Sequence, residues 1–309
     1  MGLRMILRCR FIPLILLIAV GTTSACMPDG PGFTGMRESG PRAGYAEPGA
    51  LRRLRASKAG QPTDRLSAYD AWFQKRSLGA STSEQARLIE EHDALRDILQ
   101  GNYDRAITKL LAIEGAHPGL ETTAGALGTA YERTGDYESA LRWINSAITR
   151  DAEAHRGSEW LHARVLQARM ALKDDPRHLA HSPIVPLSQS GLPLDGSAYF
   201  PSTRMLTRDD LIDALYYQLG EQMLFVKPED PIVADLLQSL ARLEAITNST
   251  VATDACRALA REYSLNSEEA LEAIPPFTSD QFDTRPLAWG VVIVIIAFGV
   301  VLRYRIEQR

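Results

Sequence analysis

The sequence contains few cysteines. Cys9, Cys26 and Cys256 are the 3 in 309 residues, which excludes a fold held together by a disulfide framework. Cys9 lies in a segment that we expect to be removed. If Cys26 carries a lipid, Cys256 is unpaired; if it does not, a bridge between the two stays open. Cys256 falls at a large buried position of a predicted helix, so we expect a core thiol.

Motifs that carry enzyme chemistry are also missing. The chain has no phosphate-binding glycine loop, no Gly-x-Ser-x-Gly elbow and no His-Glu-x-x-His pair. His178 and His181 are spaced as a metal pair, but we identify no carboxylate or cysteine near them as a third ligand. Glu159 and His162 form one Glu-x-x-His, where a di-iron centre needs two. We therefore predict that the protein is not an enzyme and binds no metal or cofactor.

Neither sign of charge is in large excess. Lys and Arg number 34 and Asp and Glu 38, for a formal net charge of −4. Nucleic-acid-binding proteins neutralise phosphates with basic surfaces. The composition therefore predicts no nucleic-acid partner.

The N-terminus resembles a secretory signal peptide over residues 1–25. A basic stretch with three arginines precedes the apolar residues 11–20, and Thr23-Ser24-Ala25 supplies small residues for cleavage. An uncleaved anchor is the alternative, although ten apolar residues are too short to span a bilayer. Cys26 follows the cleavage site and is a candidate for lipidation. Thr23 stands where a lipobox normally has Leu, so ordinary cleavage is the alternative there.

The C-terminus carries a second apolar segment, residues 287–302, which contains no charge. We predict a single transmembrane helix, with Trp289 and Tyr304 at the interfaces and the basic tail 303–309 in the cytoplasm. A buried core helix is the first alternative, and a sorting signal that is cleaved off is the second. Both ends then agree on one localisation: the cytoplasmic membrane, with the bulk of the chain in the periplasm or extracytoplasmic space.

Between the ends the pattern is helical and divides into regions. We predict a flexible linker (26–62), a region of helical repeats (63–176), a Pro/Ser/Gly-rich loop (177–206), a second helical region with one degenerate repeat (207–274) and a linker (275–286). Apolar periodicity and capping residues place the helices within these regions. The predicted helix starts include Ser83 as an N-cap, a capping box of Thr207 with Asp210, and Asp230 before Pro231. Gly101 and Gly135 are expected at sharp turns between paired helices. The predicted helices are a short one over 69–76, then 83–100, 103–114, 120–134, 137–150, 157–172, 207–225, 231–246, 251–263 and a short one beginning near Asn266.

Two stretches, GNYDRAITKLLAIEGAHP from Gly101 and GDYESALRWINSAITRDA from Gly135, repeat at an interval of 34 residues. The second unit has the residue types of the tetratricopeptide repeat in register: Leu127, Gly128, Tyr131, Gly135, Tyr137, Ala140, Ile144 and Ala147. The first unit keeps Gly101, Tyr103, Ala106, Leu110 and Pro118 but departs at Asp93-Ala94, Asp97 and Ile113. The chain therefore resembles tetratricopeptide repeat proteins, and more loosely uncharacterised bacterial members of the cell envelope.

This resemblance implies an all-α solenoid of helical hairpins whose first helices line a concave surface that binds proteins or peptides. By repeat register, we expect the partner-binding positions to be Glu91, Leu95, Ile98, Thr129, Glu132, Arg133, Glu159 and Gln167. Solvation, or packing against the loop 177–206, is the alternative for each. The basic and Asn residues that bind a chaperone's C-terminal carboxylate are missing, since Glu91 and Leu95 take two of those positions.

The function predicted on this basis is a membrane-anchored scaffold that binds a protein or peptide. An envelope enzyme with its site in the loop 177–206 is the alternative.

Overall fold

The computed structural model of the chain describes residues 49–192, 206–247 and 249–264. Within these residues the fold is all-α, as predicted, and contains no β-strand. The helices of the described part are α1 (Gly49–Ala59), α2 (Leu66–Ser77), α3 (Thr82–Leu99), α4 (Tyr103–Ala116), α5 (Glu121–Thr134), α6 (Tyr137–Arg150), α7 (Ala154–Gly157), α8 (Glu159–Asp174), α9 (His178–His181), α10 (Arg208–Phe225), α11 (Pro231–Ile246) and α12 (Thr250–Tyr263).

Several predictions fall on residues outside this part. They are the signal peptide 1–25 with Cys26, the helix near Asn266, the linker 275–286, the membrane segment 287–302 and the tail 303–309. Among the helices that the structure does describe, none is sufficiently long and apolar to cross a bilayer.

Consecutive helices pack as hairpins in the first half of the described chain. α3 packs on α4 and α5 on α6, and each hairpin contacts the next through α4 with α5 and α6 with α8. Gly101 and Gly135 join the helices of each hairpin with φ of 78° and 84°, a left-handed conformation that glycine adopts at little cost. α3 begins earlier than predicted, because Ser81 rather than Ser83 accepts a hydrogen bond from the Glu84 backbone N–H.

α5 and α6 are in close contact at Gly128. A Cβ atom built on Gly128 would lie 2.4 Å from Ile144 Cδ1 and 3.4 Å from the Ile144 backbone nitrogen. Ile144 is fully buried, as are Ala140 and Ala147 on the same helix. The small residues of the second repeat unit, Gly128, Ala140 and Ala147, therefore allow the two helices to pack closely.

The second half of the described chain forms a larger apolar cluster. α10, α11 and α12 share it with α8 and α1. α10 begins with the predicted capping box, in which Thr207 and Asp210 each accept the other's backbone N–H. α11 begins at Pro231 after Asp230, whose carboxylate accepts the Val233 N–H at 2.9 Å. Local capping chemistry thus sets both helix starts.

The prediction of a flexible linker over 26–62 is wrong for its described end. Residues Gly49–Ala59 form α1, whose Leu51 and Leu54 are fully buried against α10. Lys227 Nζ donates to the carbonyl oxygens of Ser57, Lys58 and Gly60 at 3.3, 3.0 and 2.6 Å, which stabilises the C-terminal end of α1. Two buried leucines and one distant lysine order a segment whose composition is otherwise that of a linker.

The segment 177–206 is likewise packed where it is described. One turn of helix, α9, opens it, and Ile184, Val185 and Leu187 then enter the large apolar cluster. The Ile184 N–H donates to Asp235 Oδ2 at 3.0 Å, and Arg164 Nε donates to the Ile184 carbonyl at 2.6 Å. Burial of these three apolar side chains orders the segment despite the many Pro, Ser and Gly residues around them.

We predict that Gly128→Ala destabilises the fold by about 1–3 kcal/mol, since the added methyl overlaps a buried Ile144 side chain. Urea unfolding followed by circular dichroism measures this. Gly115→Ala on α4 is the matched control, because nothing lies within 4 Å of its Cβ position and helix propensity favours alanine. Equal stability of the two variants would contradict the close approach of α5 and α6.

Candidate functional site

The main cluster of buried charge lies where α5, α8 and α10 meet, and Glu132 of α5 is at its centre. His162 Nε2 lies 2.9 Å from Glu132 Oε2, and Arg169 Nε lies 3.3 Å from Oε1. Gln222 of α10 donates to Oε1 at 3.2 Å, and Arg133 forms a further ion pair. Burial alone would raise the pKa of Glu132, but Arg133, His162 and Arg169 hold it well below its usual range. The carboxylate is therefore ionised.

A second buried carboxylate, Glu159, shares His162 with Glu132. Glu159 Oε2 lies 3.6 Å from His162 Nδ1, and Glu159 Oε1 lies 2.6 Å from His155 Nδ1. Burial would lower the pKa of His162, but the two carboxylates raise it to about 9. Burial would also raise the pKa of Glu159, yet the two histidines hold it below its usual range. His162 is thus a buried cation at neutral pH, placed between two anions.

Arg169 connects this cluster to α11. Its guanidinium donates to Asp230 Oδ2 at 3.1 Å and to Gln222 Oε1 at 3.0 Å, besides its contact with Glu132. Asp230 is the N-cap of α11. One side chain of α8 therefore touches α5, α10 and the start of α11. We call Glu132, Arg133, His155, Glu159, His162, Arg169, Gln222 and Asp230 the ionic junction.

The backbone next to the ionic junction is strained. His155 and Arg156 have φ of 51° and 60°, left-handed values that cost a non-glycine residue about 1–2 kcal/mol each. The His155 side chain is buried, paired with Glu159, and stacked 5.7 Å from the Tyr217 ring. These contacts hold in place α7, which lies between α6 and α8 and is a kinked turn rather than a regular helix.

The space left inside the ionic junction is small. Its cavity has a volume of about 20 Å³, which is room for about one water molecule. The Arg133 guanidinium lies 5.4 Å from the centre of the Phe225 ring, so α10 closes that side. The charged side chains of the ionic junction pair with one another across α5, α8 and α10, and this arrangement is suited to holding these helices together.

A groove separate from the ionic junction lies beside the first hairpin, between α2, α3 and α5. The α2 residues Tyr69, Trp72 and Phe73 line it. The His92 ring of α3 stacks on Tyr69 at 5.1 Å and on Phe73 at 4.0 Å. We call this the α2 groove, and its other lining residues are Leu88, Glu91, Leu95, Leu110, Thr122, Thr123 and Ala126.

Charge also fixes α2 in this groove. Asp70 forms hydrogen bonds with Arg96 and, at 3.0 Å, with His92 Nε2. The hydrogen bond from Arg96 lowers the pKa of Asp70. α2 therefore presents three aromatic rings and one carboxylate to α3.

The predicted partner-binding residues fall into separate places. Thr129, Glu132, Arg133 and Glu159 line the ionic junction, where α10 covers them. Glu91 and Leu95 line the α2 groove. Ile98 is fully buried in the core between α3 and α4, and Gln167 is exposed on α8. Binding of a partner by these residues stays a prediction.

Sequence analysis named four of the eight residues of the ionic junction, Glu132, Arg133, Glu159 and His162, but did not predict that they meet. His162 and Glu159 were visible as Glu-x-x-His, and that spacing on one helix face was the available signal. Arg169, Gln222 and Asp230 reach Glu132 or its neighbours from positions 37 to 98 residues away in the chain, as the numbering in the sequence gives. Nothing in the local pattern marks them as partners of Glu132 or His162.

A third group of side chains has the spacing of metal ligands. Single ligand atoms of Asp175, His178 and His181 all lie within 4.8 Å of one another. The expectation that no carboxylate lies near the histidine pair is therefore wrong, because the turn after α8 brings Asp175 to His178 and His181. This group lies at the end of α8, away from the ionic junction and the α2 groove.

Comparison with known proteins gives limited similarity. No family model matches the sequence. Over 142 residues the chain is 30% identical to human C-type lectin domain family 4 member G, an alignment that covers 42% of this chain. The chain spans about 45% of the length of that relative. This similarity assigns the chain to no family.

We predict that the fold loses stability as the pH rises from 6.5 to about 9. Because the folded state raises the pKa of His162 to about 9, its stabilising contribution is complete below pH 6.5 and disappears as the proton leaves. The expected loss is roughly 3 kcal/mol. Urea titrations across this pH range measure it. His162→Gln is expected to reduce the dependence, leaving the part that comes from His155, whose pKa Glu159 raises against the effect of burial. His117→Gln, at an exposed histidine, is expected to keep the full dependence, and a wild-type protein equally stable at both ends contradicts the assignment.

We further predict that Glu132→Gln destabilises the protein by about 3–5 kcal/mol, because three cationic groups lose their buried counter-charge. Thermal unfolding by calorimetry and urea titration measure the loss. Glu90→Gln, on the exposed face of α3, is the control and should change stability by less than about 0.5 kcal/mol. If both variants unfold alike, the buried carboxylate is not a structural centre.

Proposed function

We propose that this chain is a non-enzymatic scaffold of the tetratricopeptide-repeat type that binds a protein or peptide partner. The support for the repeat assignment is the pairing of α3 with α4 and α5 with α6 at the 34-residue interval of the sequence. The left-handed glycines between paired helices and the close approach at Gly128 are the features that such hairpins need. Stacked hairpins present their first helices as a binding surface.

The observation that carries the binding role is that helices of the chain itself already lie on these first helices. α2 lies against α3, and α10 closes the space between α5 and α8. Grooves that accept an amphipathic helix are a common way to recognise proteins. We therefore infer that the partner offers a helix.

The two internal helices differ in how firmly they are held. α10 has twelve buried residues, whereas among the described side chains of α2 only Tyr69 is buried. Displacing α10 would expose the ionic junction, while displacing α2 exposes half-buried aromatic rings. In this proposal the partner helix replaces α2.

The chemistry of α2 indicates what the partner helix carries. Two or three aromatic side chains fill the apolar space beside Leu88 and Leu95, and a carboxylate meets Arg96 and His92 in place of Asp70. Aromatic anchors in a desolvated pocket usually dominate the affinity of such sites. The proposed ligand is an amphipathic helix with an aromatic cluster next to an acidic residue.

The cellular setting is part of the same proposal and depends on the ends of the chain. A signal peptide at 1–25 and a membrane helix at 287–302 would hold the scaffold on the outer side of the cytoplasmic membrane, with the C-terminus inside. Lipidation of Cys26 would add a second anchor. The alternative, a cleaved C-terminal sorting signal, is distinguished by the mass of the mature protein.

An envelope enzyme with its site in the segment 177–206 remains the alternative function. The observation in its favour is the group formed by Asp175, His178 and His181 at the start of that segment. Catalysis at a metal would need an open coordination position and a substrate pocket.

We predict that a photo-crosslinking amino acid, p-benzoylphenylalanine, in place of His92 captures the partner in intact membranes. His92 is suitable because it lines the α2 groove and already stacks on aromatic rings. A synthetic peptide with the sequence of residues 65–78 should compete with the capture. Mass spectrometry identifies the adduct and the site of attachment.

The matched control carries the same probe at Leu111, which is exposed on α4, the second helix of the same hairpin. The proposal expects no specific adduct there. A peptide with Asp70→Lys should compete poorly, since it reverses the charge facing Arg96. Equal capture from both positions, or capture unaffected by the wild-type peptide, would overturn the proposed groove.

A further inference from the structure

The turn that follows α8 brings together two imidazoles and one carboxylate. Asp175 is the C-cap residue of α8, and His178 and His181 are the first and last residues of α9. Their ligand atoms all lie within 4.8 Å of one another. The set is independent of the proposed partner groove, since none of the three residues lines it.

Local hydrogen bonds orient the carboxylate before any ion binds. Asp175 Oδ1 accepts the Arg177 backbone N–H at 2.9 Å, and the Asp175 carbonyl accepts the His178 N–H at 3.0 Å. Oδ2 then faces His181 Nε2 at 3.4 Å. The turn therefore fixes the direction of the carboxylate toward the histidines, and a fixed ligand loses less entropy on binding.

The two histidines are held one helical turn apart. Their rings meet edge to face with centres 5.7 Å apart. Leu179 between them packs against the large apolar cluster, and the Ser182 N–H donates to the His178 carbonyl at 2.9 Å. His178 is half-buried beside Leu179, and His181 is exposed.

The separation of the ligand atoms suits one kind of ion. Zinc binds histidine nitrogen and carboxylate oxygen at about 2.0–2.2 Å in a tetrahedron, so two of its ligands lie about 3.4 Å apart. The Asp175–His181 distance has this value. Two imidazoles and one carboxylate also suit zinc better than calcium or magnesium, which prefer oxygen ligands alone.

We propose that Asp175, His178 and His181 bind one Zn²⁺ ion, with water as the fourth ligand. His178 reaches the ion by a side-chain rotation, since the three atoms already lie within 4.8 Å. The neighbouring Asp174 is exposed and adds negative charge near the ion. Binding closes a short loop between α8 and α9 and so adds stability in proportion to the free zinc concentration.

The test is zinc binding by the full chain, purified without a histidine tag and stripped of metal in mild detergent. Isothermal titration with ZnCl₂ should give one ion per chain. Titration with Co²⁺, a spectroscopic substitute for zinc, should give the visible absorption of a tetrahedral site. Asp175→Asn and His181→Gln should each weaken zinc binding about tenfold or more, since even loss of an outer-shell partner costs this much.

His117→Gln is the matched control, because His117 is an exposed histidine remote from the turn in sequence; it should leave the affinity unchanged. His181 and Asp175 have exposed side chains, so both variants are expected to fold, and circular dichroism checks this. A wild-type chain that binds no zinc overturns the proposal. Zinc binding that either ligand variant leaves within about twofold of wild type overturns it as well.

Discussion

The burial of the Glu132 charge is the constraint on which the rest of the structure depends. A carboxylate removed from water costs several kcal/mol unless charged and hydrogen-bonding partners surround it. Its partners come from three elements: Arg133 from α5 itself, His162 and Arg169 from α8, and Gln222 from α10. Displacing α5, α8 or α10 would leave a buried charge exposed to water or without its partner. The three helices are therefore expected to pack together.

This requirement explains how the second half of the described chain attaches to the hairpins. Phe225 at the end of α10 packs against the apolar cluster formed by α3, α4 and α5, while the body of α10 belongs to the larger cluster. α1 packs against α10. Lys227, just after the end of α10, donates a hydrogen bond to the Gly60 carbonyl at the C-terminal end of α1. The strained turn at His155 persists because Glu159 holds its imidazole. α10 thereby covers the surface between α5 and α8, which would otherwise be open.

The sequence predicted the local features of the fold well and the long-range ones poorly. The glycines at 101 and 135, the capping box at Thr207 and the Asp230-Pro231 start each depend on a few adjacent residues, and the structure has them as expected. α1 was missed because two leucines order it only when α10 is present. The pairing of Glu132 with Gln222, 90 residues apart, depends on how α10 docks, which no local periodicity encodes. Asp175 was missed for a smaller reason: a bend rather than a helix brings it to the histidines.

A double-mutant cycle between Glu132 and Arg169 tests the central claim most directly. Glu132→Gln, Arg169→Met and the double variant are unfolded in urea, and the free energies of unfolding give the coupling between the two positions. If the buried charge organises α5, α8 and α10, the coupling energy is about 1–3 kcal/mol, because the second substitution removes a cation that the first has left uncompensated. Free energies that add to within about 0.5 kcal/mol would contradict the account.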